Sequence, residues 1–442
     1  MKSWRFIAFA LALAFALAVA LSRAAGAAEP QAPSAAVADS RDYIVLAVDN
    51  PLRRMPLRAG SSLPSYGVSQ SYVVSSEAAT MLAALEHEHH LHAVAAWPIA
   101  ALGWQCVVYG VPPGTERQAV IDELSRDRRV RLVQPLQDFS TLGSEGGSKA
   151  SDGGTGAPVP YDDPYVDLQR GFVLTSAARA HRLSTGHNVT VAVVDTGADL
   201  HHPDLRGQVA VHQDVVGAGE GSAFEQDAHG TAVAGIIAAV PNNRQGIVGI
   251  APDARLNIYR ACWYAQAKAG PARCNSFTLA KALALVMESD ARIVNLSLGG
   301  PSDPLLDALL RKLLEQQRIV IGALPTSGRR EGFPAGVPGV IVVGNADLQS
   351  AAAGTLSAPG RDVLTPMPGG RYEFSNGSSI ATAHVSGIAA LLLALDPHLD
   401  AASMLELLSN AMPAGPGASV NAEAAVTALL QRVRMATNAL SR

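Results

Sequence analysis

Acyl transfer near neutral pH needs a nucleophile, a base that takes its proton, and an acid that orients the base. Three stretches of this chain offer those groups in order. Asp195 directly follows the strand-like run VAVV and is followed by Thr196 and Gly197. His229 opens a helix-like stretch, HGTAVAG, and Ser379 opens another, SIATAHVSG. Each is flanked by glycine and small residues, which let backbone and substrate approach closely. A serine at a helix N-terminus also lies at the positive end of the dipole, where its own N–H can face an oxyanion. The catalytic set read from these residues is Asp195 as orienting acid, His229 as general base and Ser379 as nucleophile.

Such residues must be held at the carboxyl ends of strands, and the surrounding pattern supplies strands. From Tyr161 onward, β-branched runs (189 to 194, 256 to 260, 293 to 298, 318 to 323 and 340 to 344) alternate with helical stretches (231 to 239, 279 to 288, 305 to 316 and 379 to 395). This predicts an α/β domain whose parallel sheet is covered by helices on both faces. Residues 42–139 read as a small α+β unit of the split β-α-β, ferredoxin-like kind. Its strands fall at 43 to 49, 104 to 111 and 130 to 134. One helix is capped by Ser75 or Ser76, and a second is capped by Thr115 and ends near Arg126. Residues 140–160 are Gly/Ser-rich and read as a flexible linker; residues 432–442 read as a frayed tail.

The order Asp, His, Ser with these flanks resembles the subtilisin-like serine peptidases. The likeness covers roughly residues 161–430, within a domain read as 161–431, and rests on DTGADLHHPDL at 195–205, HGTAVAG at 229–235, NLSLGG at 295–300 and NGSSIATAHVSG at 376–387. It implies a serine endopeptidase acting on polypeptides through an acyl-enzyme, and it makes residues 42–139 an inhibitory propeptide. The family pattern selects Ser379 over Ser378 by its spacing to Ala381 and His384. It also implies that Ser297, Leu298 and Gly299 pair with substrate, and that Gly332 and Phe333 form a specificity-pocket wall. With no acid in that wall, apolar or aromatic residues are expected before the cut. Two departures stand out. Ala383 replaces a proline, and Thr326 occupies the place of the oxyanion asparagine. The competing reading, a pseudo-peptidase or slow peptidase acting as a binding protein, rests on Thr326. An ester or lipid hydrolase is disfavoured, because the order Ser, Asp, His and a G-x-S-x-G elbow are both absent.

The N-terminus predicts export, hence a secreted or periplasmic location. Lys2 and Arg5 precede an apolar run from Phe6 to Leu21, and Ala25-Gly26-Ala27 offers a cleavage site, so residues 1–27 read as a signal peptide. That run is shorter than the ~20 residues of a membrane span, and a membrane enters only if the signal stays uncleaved. Residues 28–41 are Ala/Pro/Ser-rich and read as loose. Export permits a disulfide, and Cys262 and Cys274 are expected to pair, leaving Cys106 as a buried thiol. At 442 residues, with 48% apolar and 16% charged residues, the chain can bury a sizeable core. A net charge of −4 gives no reason to expect nucleic acid as a partner. No cofactor is expected. The tract at 87–92, HEHHLH, reads as a solvated helix end rather than a metal site. Asp162, Asp163, Asp199 and Asp204 offer oxygen ligands of the kind Ca²⁺ takes but no pattern that assigns a site.

Overall fold

A computed structural model describes residues 40–51, 74–145, 161–217, 226–264, 271–347, 353–415 and 417–440. The expected signal, nearly all of the loose segment and residues 146–160 of the expected linker lie outside the described residues.

The N-terminal unit runs β1 (Tyr43–Asp49), α1 (Ser76–His89), β2 (His92–Ile99), β3 (Trp104–Gly110), α2 (Arg117–Leu124) and β4 (Val130–Pro135). Its sheet is antiparallel in the order β2-β3-β1-β4, the ferredoxin-like arrangement. Ser75 caps α1, its Oγ accepting the Ala78 N–H at 3.1 Å. Thr115 does not cap α2, which begins after Glu116. Strand β2 is an addition to the sequence reading. Its run HAVAAWPI lacks clean alternation and contains Pro98, which an edge strand tolerates. Period-two alternation gives the sheet two apolar faces. Ile44, Leu46, Val107 and Tyr109 pack on the unit's own helices. Val45, Ala47, Cys106 and Val108 face the larger domain.

The chain then forms two short strands, β5 (Asp138–Thr141) and β6 (Gly143–Glu145). Residues 140–145, expected as linker, are therefore paired. Both strands find free edges on the larger domain, and backbone pairing outweighs the looseness that a Gly/Ser composition suggests.

The larger domain follows with β7 (Thr190–Asp195), β8 (Val209–Asp214), α3 (Ala228–Ala238), β9 (Arg255–Arg260), β10 (Cys262–Trp263), β11 (Arg273–Asn275), α4 (Ser276–Glu288), β12 (Ile293–Leu296) and β13 (Leu298–Gly299). Next come α5 (Pro304–Glu315), β14 (Ile319–Ala323), β15 (Ile341–Asn345), β16 (Leu356–Ala358), β17 (Val363–Met367), β18 (Arg371–Gly377), α6 (Ser378–Leu395), α7 (Ala401–Asn410) and α8 (Ala422–Leu440). Seven strands form one sheet in the order β16-β15-β14-β12-β7-β9-β8, parallel throughout. Its helices lie on both faces. Helices α3, α6, α7 and α8 share one core; α4 and α5 share the other with the N-terminal unit. The expected tail is helical, because α8 continues to Leu440. The order of strands reverses between β7 and β12, which opens a crevice at their carboxyl ends.

Helix α6 has the length and apolarity of a membrane span, yet 83% of it is buried inside the protein. It is the domain's core helix. His384 lies fully inside it, Nδ1 2.9 Å from the Ile380 carbonyl. Burial pushes this imidazole down from 6.5 to about 4, so the folded state holds it neutral. The linked stability is complete above pH 6.5 and is lost as pH falls toward 4. The shift corresponds to about 3 kcal/mol. Urea midpoints should therefore drop across this window, and His384→Gln should flatten that drop. An equal slope in the variant would assign the pH dependence to other groups.

Candidate active site

The crevice brings Asp195, His229 and Ser379 together. Asp195 is the last residue of β7, His229 lies in the first turn of α3, and Ser379 lies in the first turn of α6; all three are buried. His229 Nδ1 is 2.7 Å from Asp195 Oδ1, and that oxygen also accepts the Thr196 N–H at 2.7 Å.

The two surrounding motifs interlock. The Gly230 N–H donates to Thr196 Oγ1 at 3.0 Å, and the Asp199 N–H donates to Thr231 Oγ1 at 2.9 Å. A Cβ on Gly230 would come 1.9 Å from the Gly197 carbonyl oxygen, so only glycine lets α3 approach this loop. Beside them, Asp227 accepts from Arg260 Nε at 3.4 Å, and Arg260 also pairs with Asp214 at 3.0 Å. Burial pushes the Asp227 carboxyl up to about 7, opposed by the Arg260 charge.

Ser379 is held by a buried polar chain of which sequence reading singled out Ser297 alone, and for a different role. Ser386 Oγ donates to Asn295 Oδ1 at 2.9 Å, and Asn295 Nδ2 donates to Ser297 Oγ at 2.9 Å. Ser297 Oγ in turn donates to the Ser379 carbonyl at 3.0 Å. The signal was present as polar residues within apolar runs. Ser378 points elsewhere, its hydroxyl donating to the Leu324 carbonyl at 2.7 Å.

The crevice is filled by the chain's own residues. β5 lies between β11 and β13. Thr141 and Ser140 pair with Leu298 and Gly299 on one side; Ser140, Phe139 and Asp138 pair with Arg273, Cys274 and Asn275 on the other. The Leu142 N–H donates to the Ser297 carbonyl at 3.2 Å, and the Leu142 carbonyl accepts the Ser379 N–H at 3.3 Å. A Cβ on Gly143 would fall 2.6 Å from Ser379 Oγ and 2.9 Å from His229 Nε2. The Leu142–Gly143 peptide thus lies across both groups. Among the described residues, Ser379 Oγ, His229 Nε2 and Asp195 Oδ2 are buried without a hydrogen-bond partner. Gly377, at φ +139°, gives way to this segment, since a Cβ there would come 2.1 Å from the Leu142 oxygen. Beyond the bond, β6 pairs with β18.

The residues expected as a wall meet different parts of the bound segment. Leu142 lies against Gly299. The Phe139 ring lies against Gly300 and meets Phe333 edge-on, centroids 5.5 Å apart. Gly332 approaches the Gly300 carbonyl so closely that a Cβ would come 2.1 Å from it. The Phe333 ring therefore meets a residue upstream of Leu142, while its carbonyl and the Leu142 side chain both lie beside Gly299. Thr326 is exposed in the turn after β14. Among the described residues, the Leu142 oxygen receives the Ser379 N–H and no bond from Thr326. Pro325 and the Gly328 N–H to Pro325 carbonyl bond of 2.9 Å turn the chain at that point.

The carboxylates weighed as metal ligands are engaged by donors. Asp163 accepts the Asn242 and Asn243 N–H groups, and Asp204 accepts from Asn243, Ile247 and Tyr372. Asp199 accepts the His201 and Gly369 N–H groups. Glu88, His89 and Asp127 lie close enough to share an ion, but Arg129 bridges both acids. Cys262 and Cys274 form a disulfide, and Cys106 is free and buried.

Residues 186–431 match the family model described as the subtilase family. An intracellular serine protease of Paenibacillus polymyxa is 32% identical over 257 residues, covering 53% of this chain and 77% of that protein. Thermitase of Thermoactinomyces vulgaris is 30% identical over 244 residues, covering 53% and 85%. Subtilisin E of Bacillus subtilis (strain 168) is 35% identical over 231 residues, covering 48% of this chain and 57% of that protein. The crystal structure of fervidolysin from Fervidobacterium pennivorans, described as a keratinolytic enzyme related to subtilisin, matches with a TM-score of 0.68. That match covers 87% of this chain and 61% of fervidolysin; at 20% identity the likeness speaks to fold alone.

Proposed function

Because this chain belongs to the subtilase family of serine peptidases, we propose that it is made as a self-inhibited precursor that cuts its own Leu142–Gly143 bond. It is a serine-type endopeptidase, and polypeptides are its substrates. The observation that carries the precursor reading is the Leu142–Gly143 peptide lying across Ser379 and His229.

In this mechanism Ser379 Oγ attacks the Leu142 carbonyl carbon while His229 Nε2 takes its proton. Asp195 holds the ring through Nδ1 and stabilises the imidazolium that forms. The oxyanion develops where the Leu142 oxygen lies, facing the Ser379 N–H. The imidazolium then protonates the Gly143 nitrogen, the C–N bond breaks, and water resolves the acyl-enzyme by the reverse proton path. Ser297, Leu298 and Gly299 bind substrate as an added strand. Gly299 faces the residue before the cut, and Phe333 faces the one at the place of Phe139.

Inhibition before and after the cut rests on the N-terminal unit. Trp97 meets Phe277 of α4 at 4.6 Å between centroids, and Gln134 Oε1 accepts the Leu305 N–H at the start of α5 at 3.0 Å. Arg273 pairs with Asp138 at 3.1 Å. A secreted or periplasmic location follows from residues 1–27. Kinship does not decide it, since one relative is named intracellular.

The exposed Thr326 favours a second reading, a slow peptidase or binding protein with an incomplete oxyanion site. Processed protein incubated with a fluorophosphonate and, separately, with casein tests both. The peptidase reading expects a labelled protein and casein cuts after Leu, Met or Phe. A folded protein that neither labels nor cuts is the binding protein.

A further inference from the structure

We infer that the Cys262–Cys274 disulfide is a positioning element for substrate, holding the outer wall of the cleft against residues upstream of the cut. This rests on the peptidase reading and extends it to how long substrates are gripped.

The two walls of the cleft are braced unequally. On one side, β13 continues from β12, an inner strand of the large sheet. On the other, β11 meets the rest of the domain at its C-terminal end through α4, where Asn275 is the N-cap. Among the described residues, its strand partner on the edge away from β5 is β10, with cross-strand pairs Cys262↔Cys274 and Trp263↔Arg273. So short a hairpin is marginal in water by itself. The disulfide joins one of those pairs, and both cysteines are buried. On its other edge the same Cys274 pairs with Phe139. The wall extends to Ala272, whose carbonyl accepts the Thr141 N–H at 3.0 Å and whose N–H donates to Thr141 Oγ1 at 3.1 Å. The inner end of the bond is equally well placed. Ala261, beside Cys262, donates its N–H to the Asp195 carbonyl at 2.8 Å. The bond therefore ties the strand carrying the upstream subsites to the body of the catalytic centre.

The residue next to the cut does not use this wall. The Leu142 N–H and carbonyl bond to Ser297 and Ser379. Loss of the disulfide should therefore discriminate by substrate length, which a general loss of stability would not.

The test uses processed wild type and Cys262→Ser, with two substrates: a Phe-Ser-Thr-Leu anilide and an acetyl-leucine nitrophenyl ester. For the variant, kcat/KM on the peptide should fall about tenfold to a hundredfold, as for the loss of one or two backbone hydrogen bonds. The ester should change by less than about twofold, because its contacts lie on the braced wall. Folded wild type treated with a phosphine, with bond opening checked by thiol titration, should reproduce the pattern and covers a variant that fails to fold. Equal losses on both substrates, or no loss on either, would overturn the inference while leaving the peptidase reading intact. Wild type that cuts neither substrate would remove both.

Discussion

Ser379→Ala leaves the full-length precursor uncut at Leu142–Gly143, while wild type yields a new N-terminus at Gly143. The expectation follows from the geometry of one peptide bond. Its carbonyl oxygen faces the Ser379 N–H, and Gly143 lies against both Ser379 Oγ and His229 Nε2. With the hydroxyl gone, no other nucleophile replaces it, since Ser378 is committed to the Leu324 carbonyl. Turnover on added peptides should fall by about 10⁶-fold, a magnitude that is subtilisin's own rather than one calculated from these distances. Ser378→Ala should keep most activity and most labelling by a fluorophosphonate. The measurement is N-terminal sequencing of both proteins expressed side by side in a host lacking other exported proteases. Processing of Ser379→Ala at the same bond would show that cutting is done by another enzyme, and labelling that survives the substitution would remove Ser379 as nucleophile.

Leu142→Asp should slow processing at this bond by about a hundredfold or more, because an unpaired carboxylate brought out of water costs several kcal/mol. Leu142 is half-buried against Gly299, and the arginines next to the described wall are already engaged. Arg329 is paired with Glu331 at 3.2 Å, and Arg330 donates to the Gly354 and Val340 carbonyls. Leu142→Met keeps the volume and polarity and should cut at nearly the wild-type rate. Time courses of precursor loss compare the three. If Leu142→Asp is processed as fast as Leu142→Met, the bound peptide is not the one that is cut.

The motifs that carry Asp195, His229 and Ser379 were legible in the sequence because their constraints are local. Gly230 must be glycine for α3 to approach the loop after Asp195, and Thr196 and Thr231 cross-link that approach. Such requirements leave short motifs that survive without any knowledge of the fold. The alternation of β-branched runs with helices was legible for the same reason, since a strand buried on both faces must be apolar along its length.

What the sequence by itself determined, then, is the parallel α/β domain, the three motifs whose Asp195, His229 and Ser379 the fold brings together, and the ferredoxin-like character of residues 42–139. Only the tertiary structure decided the rest, because each remaining feature depends on a partner distant in the chain. Residues 140–145 have the composition of a linker, yet they are strands because β11, β13 and β18 offer them unpaired backbone edges. The Phe333 ring meets Phe139 edge-on because the β5 register sets which residue reaches it. Thr326 stands at the place of a donor in the sequence but is turned outward by the bend at Pro325. The pairing of Cys262 with Cys274 was suggested by spacing, but its place behind the substrate strand follows from register alone, and register is a property of paired strands, not of either one.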